Sequence, residues 1–193
     1  MKRFLSVLVA AAVGWFGTAS AQTIEAMSVA SGPQMSLGML SAEGGISERR
    51  DWRDYFDSIS RGGIVISIDD ARLSYWSPGG ERFMEFPIGA PKAEEFERTG
   101  RTQVVRKTRN PDWTPTASMR QRDPSLPAYM EPGPRNPLGT RAMYLGWPAY
   151  LIHGTNAPMT IGRKVSSGCF RMFPQHVELL YEFVEPGTPV YVH

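Results

Sequence analysis

The chain has 193 residues, 41% hydrophobic and 21% charged, with 21 Lys and Arg against 19 Asp and Glu and a formal charge of +2. This length and apolar content suit one domain with a single core, and so small a charge lacks the clustered basic excess of a nucleic-acid binder. Cys169 is the one cysteine, so an internal disulfide is excluded.

Met1-Lys2-Arg3 is followed by a nearly unbroken apolar run from Phe4 to Phe16 and by the small residues Ala19-Ser20-Ala21. A basic start, a short apolar stretch and a small-residue cleavage site are the parts of a secretory signal peptide. A membrane span needs about 20 apolar residues, and Gly17, Thr18, Ser20 and Gln22 stop this run short. Residues 1–21 are therefore expected to direct export to the periplasm and to be removed. Loss of Lys2 and Arg3 then brings the formal charge from +2 to zero. Residues 22–60 hold Gly32-Pro33, Gly38, Gly44-Gly45 and the charged Glu48-Arg49-Arg50-Asp51. Without a sustained apolar period they predict a flexible leader, with a short helix near Trp52 to Ile59. Such a leader is too short for an ordinary second core, so residues 61–193 are expected to form a solitary domain.

From Gly62-Gly63 the texture becomes β-like. Ile64 to Ile68, Arg72 to Trp76 and Arg82 to Ile88 are short runs separated by Asp69-Asp70 and by Ser77-Pro78-Gly79-Gly80, which predicts consecutive antiparallel strands. Gln103 to Lys107 is a fourth. Between Asn110 and Leu138 stand Pro111, Pro115, Pro124, Pro127, Pro132, Pro134 and Pro137, which exclude central strands and long helices. Trp113, Met119, Leu126, Tyr129 and Met130 are too apolar for a disordered tract, so this stretch predicts an ordered lid. Strand texture returns at Ala142 to Leu145 and at Tyr150 to His153. Pro174 suits the first turn of a helix, and Val177, Leu180, Tyr181 and Val184 recur at helical spacing. Glu185-Pro186-Gly187 ends that helix, and Thr188 to Val192 makes a last strand. The pattern is a mainly β domain with one packed C-terminal helix.

A lone thiol in an oxidising compartment is buried and inert, paired with another chain, or reactive. Cys169 lies in Ser166-Ser167-Gly168-Cys169-Phe170-Arg171-Met172, sixteen positions after His153 in His153-Gly154-Thr155. The thiolate is the nucleophile, so an attacking cysteine needs a base or cation beside it. His153 suits that role better than His176, early in the helix, or His193 at the terminus. Gly154 and Gly168 permit close backbone approach to a substrate, and the N–H groups of Gly168 and Cys169 are candidate oxyanion donors. The group orienting His153 is left open among the Gly154 carbonyl and the hydroxyls of Thr155 and Ser167. Ser166 and Ser167 are expected to bond the local backbone. Arg171 either grips a substrate carboxylate or pins the turn to a neighbouring strand. Trp113, Tyr144 and Trp147 are candidates for cleft walls or for ordinary packing. From Arg98 to Arg122 there are seven basic residues against Asp112 alone, either a solvated face or a cationic lining for an acidic substrate.

These motifs closely resemble the His-Gly-Thr and Ser-(His/Ser)-Gly-Cys-(apolar)-Arg signature of YkuD-type L,D-transpeptidases. The resemblance extends to Asn110 through Pro115, Leu126-Pro127, Gly133 through Gly139 and Pro186 through Val190, covering roughly Ile64 to Val192. It implies a β-sandwich of mixed sheets with one helix and a long Pro-rich lid. It further implies catalysis by Cys169 as nucleophile, His153 as general base and Gly168 in the oxyanion turn, with Arg171, Gly154, Ser167 and Trp147 facing substrate. The implied reaction joins a peptidoglycan stem peptide through a cysteine thioester to an amine, forming a 3→3 cross-link or attaching a protein to the wall; water as acceptor would make a carboxypeptidase or amidase. No cofactor is implied, and no metal-ligand spacing is visible. Ser167 stands where many members carry His, and Glu97-Arg98-Thr99-Gly100 replaces a common Thr-Pro-x-Gly. A non-catalytic wall-binding module, or a thiol redox or metal site, is the rival reading.

Overall fold

In the computed structural model, which describes residues 51–193, the opening hairpins follow from their turns. Strand β1 (Gly63–Ser67) reverses through Ala71, whose φ is 49°, into β2 (Arg72–Trp76). Ser67 caps the bend by donating to the Asp70 carboxylate at 2.8 Å. A second reversal leads to β3 (Phe83–Pro91). Both pairings are antiparallel, as the turn spacing predicts. Then come β4 (Gly100–Arg109), a short helix α1 (Ala117–Arg122), β5 (Arg141–Leu145), β6 (Leu151–His153), β7 (Lys164–Ser166), β8 (Phe170–Met172), α2 (Pro174–Phe183) and β9 (Pro189–Val192).

Among the described residues the strands form one sheet in the order β2-β1-β9-β4-β5-β6-β8-β3-β7, and an added β2–β3 pairing closes it. The expected mainly β architecture, mixed pairing and single long helix are all present. The two layers of the expected sandwich are joined into a closed sheet because β3 is long enough to change partners. Its first residues pair with β2, and its later ones with β8 and β7. Closure encloses the core and leaves only the short β7, paired with β3 alone, as an edge. Ile64, Ile66, Leu73, Tyr75, Ile88, Val104, Met143, Ile152, Phe170 and Met172 point inward, and α2 adds Val177 and Leu180.

β1 is buried along its whole length. A strand covered on both faces reads as a continuous apolar run, as Ile64-Val65-Ile66 does. The outer cover comes from the segment expected to be flexible. Residues 52–54 form a 3₁₀ turn capped by Asp51, and Phe56 and Ile59 pack on Val65 and Trp76 in a second apolar cluster. The last ten residues of the leader therefore belong to the domain; the remaining leader and the apolar N-terminal run lie outside the described residues.

The Pro-rich connection is ordered by hydrogen bonds. Trp113 and Met130 exchange backbone bonds of 2.9 and 2.8 Å. Asn136, only 1% exposed, donates to the carbonyls of Pro111 at 3.0 Å and Glu131 at 3.1 Å and accepts from the Leu138 N–H at 2.9 Å. Thr116 caps α1 by accepting from the Met119 N–H. β7, β8 and α1 are absent from the strand and helix pattern of the sequence because runs of three to six residues carry too little periodicity to register.

Phe56→Ala removes a buried ring from the second cluster. The expected cost is about 3 kcal/mol, read as a lower midpoint in chemical denaturation. An unchanged midpoint would place residues 51–60 outside the cooperative unit.

Candidate active site

Alternation along β6 positions the site. Ile152 points into the core, so Leu151 and His153 project from the opposite face. β6 runs parallel to β8, with Ile152 beside Phe170 and His153 beside Arg171. Cys169 immediately precedes β8, so it stands one pleat before Arg171 on the adjoining strand. The parallel register thus gathers His153, Arg171 and Cys169 on the outer face, although sixteen residues separate the imidazole from the thiol in sequence.

His153 is 4% exposed. Its Nδ1 lies 2.5 Å from the Gly154 carbonyl oxygen. A carbonyl only accepts, so Nδ1 carries the proton, and in the neutral ring Nε2 then bears the lone pair. Of the three orienting groups open in the sequence, the backbone carbonyl is the one engaged. Burial pulls the imidazole pKa down to about 4; the bonds to Gly154 and Leu138 oppose this, and the Arg171 charge adds to it. Burial conversely pushes the Cys169 thiol up to about 11, against the Leu151 N–H and the Arg171 guanidinium, which favour the thiolate. Both groups are therefore neutral at rest around pH 7. The thiol donates to the Ala149 carbonyl at 3.4 Å, and Ala149 holds a φ of 65° in the tight turn between β5 and β6.

The loop before Cys169 is pinned by Ser166, which is buried. Its hydroxyl donates to the Cys169 carbonyl at 2.5 Å and accepts from the Gly168 N–H at 3.3 Å. The Gly168 N–H, expected to serve an oxyanion, is engaged by that hydroxyl. Gly168 sits at φ 118°, and a Cβ there would meet the Tyr150 ring at 3.2 Å. Gly154, expected beside substrate, is confined by its own neighbours. A Cβ on it would press on Val177 and on the Leu138 carbonyl, so its smallness serves packing between the lid's end and α2.

Cys169 opens into a cleft of about 650 Å³, lined on one side by Trp113, Thr116 and Met119 of the Pro-rich loop and on the other by Tyr144 and Trp147. The loop therefore walls the cleft, and the three aromatic wall candidates all line it. His153, Ser167 and Arg171 are not part of the lining. Arg171 is partly buried, pairs through its backbone with Gly89 of β3, and has no ion pair among the described residues. No group of three His, Cys, Asp or Glu side chains there is arranged to hold a metal.

Tyr150 escaped the sequence reading. Its ring packs on Gly168 and edge-on against Trp147 at 5.7 Å, and its hydroxyl donates to the Phe96 carbonyl at 3.1 Å. It ties the β3–β4 connection to the thiol's turn. The only available signal was its place three residues before His153.

Residues 61–192, which hold this whole arrangement, match the family model described as the YkuD L,D-transpeptidase catalytic domain. A Fuscovulum blasticum protein named as an L,D-transpeptidase in the ATP synthase subunits region is 41% identical over 141 residues, covering 73% of this chain and 74% of that protein. The Escherichia coli (strain K12) protein ErfK/SrfK, also named as an L,D-transpeptidase, is 42% identical over 137 residues, 68% of this chain and 44% of its own length. An L,D-transpeptidase structure from Mycobacterium smegmatis shares the fold, with a TM-score of 0.52 at 21% identity over 69% of this chain and 58% of that one. The chain belongs to the L,D-transpeptidase catalytic domain family.

The raised thiol pKa has a direct readout. Only the thiolate is alkylated efficiently, so iodoacetamide modification of Cys169 should be slow at pH 7 and climb with pH toward about 11. A plateau already reached near pH 7 would contradict the neutral resting pair. Tyr150→Phe, which removes the bond to Phe96 but keeps the ring, should preserve this profile, whereas Tyr150→Ala should disturb it by freeing the Gly168 turn.

Proposed function

We propose that this chain is an exported L,D-transpeptidase in which Cys169 attacks a carbonyl of a peptidoglycan stem peptide and His153 moves the proton. The observation that carries the reading is the Nδ1 bond of His153 to Gly154, which leaves Nε2 as the proton acceptor on the strand beside the thiol. The chain spans 74% of its Fuscovulum relative but 44% of ErfK/SrfK, so the activity is inferred from the domain.

The chemistry starts from the neutral resting pair. Cys169 gives its proton to Nε2 as sulfur bonds to the carbonyl carbon, and the resulting oxyanion is met by the Cys169 N–H and the positive field of Arg171. The tetrahedral adduct collapses with loss of the leaving amine, which takes the proton from His153. A thioester remains. An acceptor amine then attacks it, His153 removes the amine proton, and the departing sulfur recovers that proton as the thiol. An amine on another stem peptide gives a 3→3 cross-link; one on a protein attaches that protein to the wall. Nucleophile and base are both supplied by side chains, so this route needs no metal or organic cofactor.

Residues 1–21 are proposed to deliver the domain to the periplasm, where its wall substrate lies. Residues 22–50 are proposed as a tether, with the working domain starting near Asp51.

Incubation with a carbapenem followed by intact-mass analysis tests the nucleophile: one adduct is expected on the wild type and none on Cys169→Ala. His153→Ala should slow acylation by about 10²–10⁴-fold, the range of a positioned general base. Retained turnover in Cys169→Ala, or a loss of only a few-fold in His153→Ala, would overturn the assignment.

A further inference from the structure

The basic run on β4 is sorted by one backbone irregularity. Val104 points into the core, so simple alternation would send Arg106 inward and Lys107 outward. Between Val104 and Arg106 the pairing with β5 shifts register. Such a bulge places two successive side chains on one face and re-aims the residues beyond it. Val105 and Arg106 accordingly both line the cleft that contains Cys169. Lys107 turns to α2 instead, donating to the Val184 carbonyl and lying 3.6 Å from Glu185. Arg109 pairs with Glu182 at 3.0 Å.

Arg106 is treated differently from both neighbours. Its guanidinium carbon lies 3.5 Å from the centroid of the Tyr144 ring, and one N–H donates to Thr108 Oγ1 at 2.9 Å. No carboxylate pairs with it among the described residues. Stacking on an aromatic face fixes the plane of a guanidinium without neutralising it, and leaves in-plane N–H groups for a planar anion. Asp112 is the one acid lining the cleft.

We infer that Arg106 is a specificity-determining residue, a pre-oriented fork in the cleft wall that receives a carboxylate of the donor peptide. The inference rests on the donor-peptide reading above and adds which charge the cleft selects and with which side chain. The bulge is what delivers it.

Binding to the full chain carrying Cys169→Ala separates this claim from the chemistry, since no turnover is required. The probes are a stem tetrapeptide with free carboxylates and the same peptide with its carboxylates capped as amides, each titrated calorimetrically. The free-acid peptide should bind more tightly. Adding Arg106→Gln should weaken it by about tenfold, the worth of one charge-assisted hydrogen bond in such a site, and leave the amide peptide unchanged. Arg109→Gln should alter neither. Equal loss for both peptides, no loss for either, or the same loss in Arg109→Gln would overturn the assignment. Iodoacetamide, small and uncharged, should alkylate Cys169 in Arg106→Gln at the wild-type rate; a changed rate would mean that Arg106 acts on the thiol and not on the donor. Carbapenem acylation of the wild type stands as a separate test of the transferase, so either reading can fail alone.

Discussion

The parallel pairing of β6 with β8 holds the site together, and it is short: Ile152 beside Phe170, His153 beside Arg171. Parallel strands cannot be joined by a tight turn, so the chain must leave after His153, form the turn at Pro158–Thr160, run along β7 and return through Ser166 before it can lay Cys169 beside the strand it left. The inward residues Ile152, Phe170 and Met172 are fully buried and anchor this register in the core. A slip of one residue would turn all of them outward. The apolar core thus enforces the alignment of His153 and Arg171, and of Cys169 just before β8, on the opposite face.

Outside that core, the site is held by backbone atoms more than by side-chain pairs. The imidazole is oriented by the Gly154 carbonyl, the thiol by the Ala149 carbonyl and Leu151 N–H, and the turn between them by the Ser166 hydroxyl. The consequence is electrostatic: burial holds imidazole and thiol uncharged around pH 7, and the Arg171 charge favours the thiolate and the neutral imidazole. A permanently exposed thiolate is the form open to oxidation; a neutral thiol is less so.

The cleft is assembled from two connections of different character. The Pro-rich loop loses less entropy on ordering, since its prolines restrict the unfolded chain, and the Asn136 side chain closes it with four hydrogen bonds, to three carbonyls and one amide N–H. Gly139 then lets the loop touch the His153-Gly154-Thr155 backbone: at φ 65°, a Cβ there would lie 2.8 Å from the Thr155 nitrogen. The facing wall is the β5–β6 turn, where Trp147 and Tyr150 brace each other and Arg98 lies 4.9 Å from the Trp147 ring. Both walls of the cleft are thus held by contacts within the domain.

The sequence by itself determined the strand runs from Ile64 to Ile88, the C-terminal helix, the ordered Pro-rich stretch and, through the motifs around His153 and Cys169, the family, because each rests on local information: a period, a proline, or a short motif. It carried a hint of what it failed to predict, since the unbroken run Ile64-Val65-Ile66 required an outer cover and Phe56 and Ile59 stood just upstream to provide it. Tertiary structure alone decided the rest. Closure of the sheet depends on β3 exchanging partners, the tautomer of His153 on a carbonyl one residue away, and the engagement of the Gly168 N–H on Ser166. Seven basic residues between Arg98 and Arg122 looked alike in sequence, yet a single bulge sent Arg106 to the cleft and Lys107 to the helix. Side-chain direction in a strand is a property of register, and register is settled by long-range pairing with the core.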